Sequence, residues 1–143
     1  GKLGQALKIV KQEVDDLDAF FIDWFRKCYK GNGIELVDWV ESFVKYGREE
    51  QKRFFKYGLH FNRGLMLHLC GLESMSVATE EEGRVFEKMI ENGIIDLDKI
   101  NLITELFSET AYSIERNANP KILFLDVSIG LNKILKNSRR NTA

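Results

Sequence analysis

Side chains able to bind a metal or attack a substrate are few in this chain. It has two histidines, His60 and His68, and two cysteines, Cys28 and Cys70. His60, His68 and Cys70 fall on one predicted helix. The histidines are eight residues apart, about two helical turns, which is too far for one ion. His68 and Cys70 are two apart and face different ways. The four residues therefore read as structural histidines and buried free thiols, not as a metal site. Asp15, Asp16 and Asp18 form one acidic cluster and Asp96-Leu97-Asp98 another. Neither carries the glycine and terminal glutamate of a calcium loop. Both stand just before apolar helical stripes, where the helix dipole favours carboxylates, so capping is their expected role. The phosphate-cradling pattern GxxxxGK[ST] is absent. Gly31-Asn32-Gly33 lacks the third glycine of a dinucleotide fingerprint and follows a helix, which makes it a helix-ending turn. No serine has the GxSxG setting of a nucleophile elbow.

The remaining chemistry is basic. Lys45, Arg48, Lys52, Arg53, Lys56 and Arg63 place six positive charges in nineteen positions, against Glu49 and Glu50. Arg48, Lys52 and Lys56 follow i, i+4, i+8 and are expected on one helical face. Such a stripe suits phosphates, with Phe54, Phe55 and Tyr57 beside it to stack bases. The same pattern describes the solvated face of a surface helix whose aromatics enter the core, and that reading is favoured.

The elements that must position these residues are helical, because apolar residues recur at helical spacing. Phe20, Phe21, Trp24, Phe25, Cys28 and Tyr29 make one broad face, ended by Lys30-Gly31-Asn32-Gly33. Leu36, Trp39, Val40, Phe43 and Val44 form a second helix, with a break at Gly47. A long segment from about Glu49 to Cys70 carries Phe54, Phe55, Leu59, Phe61, Leu65, Met66 and Leu69. Gly58 and Gly64 inside it each cost about 1 kcal/mol against alanine, and they suggest close approach of another helix. Gly71 to Ala78 reads as a loop. Thr79 and Glu82 spell a capping box before Val85, Phe86, Met89 and Ile90, and Asn92-Gly93 closes that helix. Asp96 to Asp98 caps the next, with Ile100, Ile103, Phe107 and Ile114 as its stripe. Asn119 and Pro120 are the expected N-cap and first residue of a last helix. That helix is expected to bury Ile122, Leu123, Val127, Leu131, Ile134 and Leu135. No run alternates convincingly as a strand. The expected fold is all-α, a single domain of six or seven helices.

Composition agrees. The chain has 143 residues, 44% hydrophobic and 30% charged, with 21 Lys+Arg against 22 Asp+Glu. That balance describes a globular domain with a sizeable core and argues against a surface that grips nucleic acid all over. Two cysteines are too few for a disulfide scaffold and fit a reducing, cytoplasmic setting. No apolar run approaches the roughly 18 residues of a membrane span, and no signal peptide is visible. The only proline is Pro120, so the long stretch before it is free of the residue that most disfavours helix interiors. A start on Gly1, not methionine, suggests a piece of a longer chain.

Two stretches go beyond periodicity. The first is Trp24-Phe25-Arg26-Lys27-Cys28-Tyr29-Lys30, followed by Trp39 and by Gly47-Arg48-Glu49-Glu50-Gln51-Lys52-Arg53-Phe54. The second is Ile114-Glu115-Arg116-Asn117-Ala118-Asn119-Pro120-Lys121-Ile122-Leu123-Phe124-Leu125-Asp126. Together they resemble the C-terminal collar region of delta-prime subunits of bacterial DNA polymerase III clamp loaders, in the Bacteroidetes-type form. The likeness covers roughly residues 1 to 136. Gly1-Lys2-Leu3-Gly4-Gln5-Ala6-Leu7 resembles the end of an AAA+ lid, G-x-x-R-x-A-L, with Gly4 where ATP-using subunits carry their sensor arginine. The resemblance thus implies a lid edge at 1–10, a collar domain at 11–136 and a frayed tail at 137–143.

It also implies a non-catalytic scaffold without a cofactor. The parent holoenzyme would be the DNA-directed DNA polymerase. The partners implied are the gamma/tau and delta subunits, and the sliding clamp and primer-template DNA through the full complex. On this likeness Arg116, Asn117, Asn119 and Pro120, and Gly47, Arg48 and Lys52, are the expected subunit-interface residues. Two rival readings rest on residues alone. One is a helical nucleic-acid module using Arg48, Lys52, Lys56 and Arg63. The other is a small enzyme with Cys28 or Cys70 as nucleophile, which needs a histidine beside a thiol of depressed pKa.

Overall fold

The computed structural model describes residues 17–116 and 119–137, and all of their regular structure is helical. Six α-helices follow one another: α1 through residues 17–30, α2 Gly33–Phe43, α3 Arg48–Leu69, α4 Glu80–Glu91, α5 Leu97–Ser113 and α6 Pro120–Lys136. A short 3-10 turn, Glu73–Met75, lies inside the expected 71–78 loop. The expected lid edge at 1–10, Asp15, Asp16, Asn117 and the tail beyond Asn137 lie outside the described residues.

Local chemistry sets the boundaries. Gly31 has φ +73°, and a Cβ there would stand 2.7 Å from Asn132 Nδ2. Conformation and space both call for glycine at the α1–α2 turn. Asn32 then caps α2 by accepting from the Ile34 and Glu35 amides. In the Thr79 box, Thr79 Oγ1 accepts from Glu82 N, and Glu82 Oε1 accepts from Thr79 N at 2.8 Å. Asp96 caps α5 through the Lys99 amide at 2.8 Å. Asn119 caps α6 through the Ile122 amide, with Pro120 opening the helix.

Helix α1 is the centre. Its Phe21, Trp24 and Cys28 are fully buried, and Ile22 and Phe25 nearly so. Trp24 packs on Trp39 of α2, Phe54 and Phe55 of α3, and Phe107 of α5. Its indole Nε1 donates to Ser128 Oγ of α6 at 2.9 Å. Paired positions give the helix directions. Trp24 with Ser128 and Cys28 O with Asn132 run parallel. Phe20 with Phe43 and Trp24 with Trp39 run antiparallel. Lys52 with Glu115 and Asn62 with Ile100 make α3 and α5 antiparallel. Tyr57 with Glu82, Phe61 with Phe86, and His68 with both Gly83 and Phe86 show α4 crossing over α3. The loop between them runs back along α3, with Ser76 beside Gly64, before α4 begins.

Gly58 and Gly64 do mark close approaches, against aromatic rings. A Cβ at Gly58 would lie 2.8 Å from Phe21 and 3.0 Å from Phe107; one at Gly64 would lie 3.0 Å from Phe86. In α6 the buried stripe is Phe124, Val127, Ser128, Leu131 and Leu135. The expectation for Ile122 is corrected: it is 55% exposed. Pro120 and Asn119 start α6 in the phase that sends Phe124 inward and Ile122 outward.

Helix propensity alone would make Gly58→Ala stabilising by about 1 kcal/mol. The two rings cannot give way as a flexible side-chain end does, and overpacking costs about 1–3 kcal/mol. Urea denaturation of Gly58→Ala should show no gain and a net loss of up to about 2 kcal/mol. A gain in stability would contradict this packing.

Candidate functional site

Of the two groups of expected interface residues, Arg48 and Lys52 from one and Arg116 from the other come together around Glu115. Lys52, near the start of α3, donates to Glu115, just after α5, and to Glu49 at 3.4 Å. The Lys52 bond holds the Glu115 carboxyl below its ordinary pKa, with Arg116 and Arg48 adding further positive charge nearby. Reciprocally, Glu115 holds the Lys52 ammonium above its usual value. Arg116 lies over the Tyr112 ring, 3.9 Å from its centroid, and donates from Nη1 to Tyr112 O at 3.3 Å. Tyr112 itself is exposed. Glu115 is thus the acid around which Arg48, Lys52 and Arg116 assemble. Sequence reasoning did not single it out, although it is the one acidic residue in the Glu115–Pro120 run.

Gly47 is the N-cap of α3, with φ −71° and no neighbour within 4 Å of a Cβ placed there. Neither its conformation nor its space requires glycine. Gln51 secures this start by donating from Nε2 to Tyr46 O at 2.9 Å. Asn119 and Pro120 form the α6 start described above, and both are exposed.

Arg48, Lys52 and Lys56 fall at i, i+4 and i+8 of the one continuous helix α3, as their spacing requires. Lys52 is only half-exposed and ion-paired, so Arg48, Lys52 and Lys56 do not form an open row. The exposed row on α3 is Arg53, Lys56, His60 and Arg63, at i, i+3, i+7 and i+10. Phe54 and Phe55 are buried, and the Tyr57 hydroxyl donates to Glu82 Oε2 at 2.5 Å. All ten phenylalanines and both tryptophans pack in or against the core. The base-stacking role for Phe54, Phe55 and Tyr57 loses its basis.

Tyr57 and Glu82 form a buried polar link between α3 and α4. Glu82 accepts from Tyr57 on one oxygen and from the Thr79 amide on the other. Burial first, and then the Glu82 hydrogen bond, push the Tyr57 phenol above its ordinary pKa. The link ties α4 to α3 and engages both carboxyl oxygens.

The thiols separate. Cys28 is fully buried, and that burial raises its pKa, with a smaller opposing effect from a Ser128 hydrogen bond. A reactive thiol needs the reverse: exposure and a lowered pKa. The expectation that both thiols are buried is corrected for Cys70, which is exposed beyond the end of α3. His68 packs on Phe86, and His60 lies beside Tyr57. Among the described residues, no group of three His, Cys, Asp or Glu side chains is placed to hold a metal ion. Nor is any helix among them long and apolar enough to cross a membrane.

In comparisons with family models, curated proteins and solved structures, nothing matches this chain.

A thiol reagent added to the native protein should react promptly with one equivalent, at Cys70. The second equivalent, Cys28, should appear only when denaturant unfolds the chain. Prompt reaction of two equivalents would contradict the buried position of Cys28.

Proposed function

We propose that this chain is the collar domain of a delta-prime-type clamp-loader subunit. In that role it is an oligomerisation scaffold that helps assemble the AAA+ machine loading a sliding clamp onto primed DNA. The observation that carries the reading is the Ile114–Asp126 stretch, Glu115-Arg116-Asn117-Ala118-Asn119-Pro120-Lys121 above all, which resembles the start of the last collar helix in those subunits. Here that stretch spans the end of α5, the Glu115 corner and the start of α6.

Supporting it, the domain is all-helical, and its two last helices leave apolar side chains outside. Leu102 and Tyr112 on α5, and Ile122 and Ile129 on α6, are exposed. A helical scaffold works by burying such faces between subunits. On this reading Arg116 and Tyr112 present a cation–ring pair at the edge of the buried area, and Lys52–Glu115 keeps the corner rigid. The chain's work is assembly, with gamma/tau and delta as partners and no chemistry of its own. The nucleic-acid reading has less support, because Lys52 is engaged and the rings once offered for stacking are in the core.

The test is co-elution. Purified chain mixed with the collar regions of gamma/tau and delta subunits should elute as a stoichiometric complex. The double variant Tyr112→Asp, Ile122→Asp, altered only at exposed positions, should keep its helical signal and lose association by about tenfold or more. Wild-type chain that stays folded and elutes alone would overturn the reading.

A further inference from the structure

The exposed row on α3 joins two pockets. At the α3 N-terminal end, Phe20, Phe43, Tyr46 and Phe54, with Glu50 and Arg53, line a groove of about 460 Å³. At the other end, Leu67, Met75, Val77 and Phe86, with His60 and Arg63, line a smaller pocket of about 120 Å³ under the returning loop. Lys56 lies between them on the same helix. Arg53, Lys56, His60 and Arg63 are all exposed and share one face of α3. From Gln51 to Leu72 the chain has no Asp or Glu. Lys56 and Arg63 have no ion-pair partner among the described residues. Glu82 borders the smaller pocket, but both its oxygens already accept hydrogen bonds. Glu50 is the acid on the rim of the larger groove.

We propose that this face docks an extended acidic segment of a partner protein, which inserts one apolar side chain at each end of the basic row. The spacing sets the length. Arg53 to Arg63 rises about 15 Å along a helix. An extended chain advances about 3.3–3.6 Å per residue and turns alternate side chains to the same face, so the two anchors stand about four positions apart, with carboxylates between them. Apolar linings at both ends favour a peptide over nucleic acid, whose bases would leave polar edges unpaired in them. Met75 and Val77, 66% and 81% exposed, give the smaller pocket an apolar lip that an inserted side chain would cover. The surface is separate from the α5 and α6 residues that support the collar reading, so either can fail without the other.

The probe is a fluorescein-labelled peptide with two leucines four positions apart, three aspartates between them and serines outside. Anisotropy with the 143-residue chain at low salt should show saturable binding that weakens as salt rises. The Lys56→Glu, Arg63→Glu double variant should keep its far-UV circular dichroism and bind about tenfold more weakly or worse. If that variant loses helix, Lys56→Gln, Arg63→Gln carries the same comparison with a smaller loss. A peptide with serines in place of both leucines should also bind about tenfold more weakly. The proposal is overturned by absence of binding, by charge variants that bind as wild type does, or by a leucine-free peptide that binds equally well. Tighter binding of a single-stranded oligonucleotide of equal charge would overturn it too.

Discussion

A tryptophan buried at the centre of a protein must bring its indole N–H to an acceptor or leave that group stranded. Trp24 meets this constraint by donating to Ser128, a hundred and four residues away in sequence. Ser128 is itself fully buried and donates to Phe124 O at 2.8 Å. The bond fixes the register of α6 against α1. Four residues on, Asn132 repeats the contact by donating to Cys28 O at 2.7 Å. Around this axis Trp24 touches α2, α3 and α5 through rings. Most of the other contacts hang from it. Phe21 and Phe107 close over Gly58, Phe43 stacks on Trp39, and Phe124 meets Phe43 edge-on at 4.6 Å.

The outer helices are held by fewer and more polar links. Helix α4 is tied to α3 through Tyr57–Glu82 and the Phe61–Phe86 ring pair. The far end of α5 is tied to α6 by Lys99, which donates to Ile94 O at 3.0 Å and Leu135 O at 3.1 Å. The near end of α5 is tied to α3 by Lys52–Glu115. An exposed ion pair of this kind adds little stability by itself. What it contributes is geometry, because it ties the segment just after α5, where Arg116 lies over Tyr112, to the start of α3.

Much of this was legible in the sequence where local chemistry decides. The Thr79–Glu82 box, the Asn119–Pro120 start and the Gly31 turn each need only neighbouring residues, and each stands where its spelling puts it. Gly58 and Gly64 announced close approach, but not that rings would make it. Phase was harder. Lys52 and Lys56 are one turn apart, and only the position of Glu115 beside α3 engages one and leaves the other open. Ile122 and Phe124 both look like core; the direction in which Asn119 and Pro120 launch α6 separates them. The two tryptophans are alike in sequence, yet Trp24 finds Ser128 while the buried Trp39 Nε1 has no acceptor among the described residues. Glu115 could not be picked out, because its importance lies in residues sixty-three positions away.

The central claim, that the Trp24–Ser128 bond joins the core helix to the last one, is most directly tested by a double-mutant cycle in urea denaturation. Ser128→Ala should cost about 1–3 kcal/mol in the wild-type background, where it strands the buried indole N–H. In a Trp24→Phe background the same change should cost less by about 1 kcal/mol or more, because only the Ser128 bonds to Phe124 O and Cys28 are then lost. Equal losses in the two backgrounds would contradict the claim.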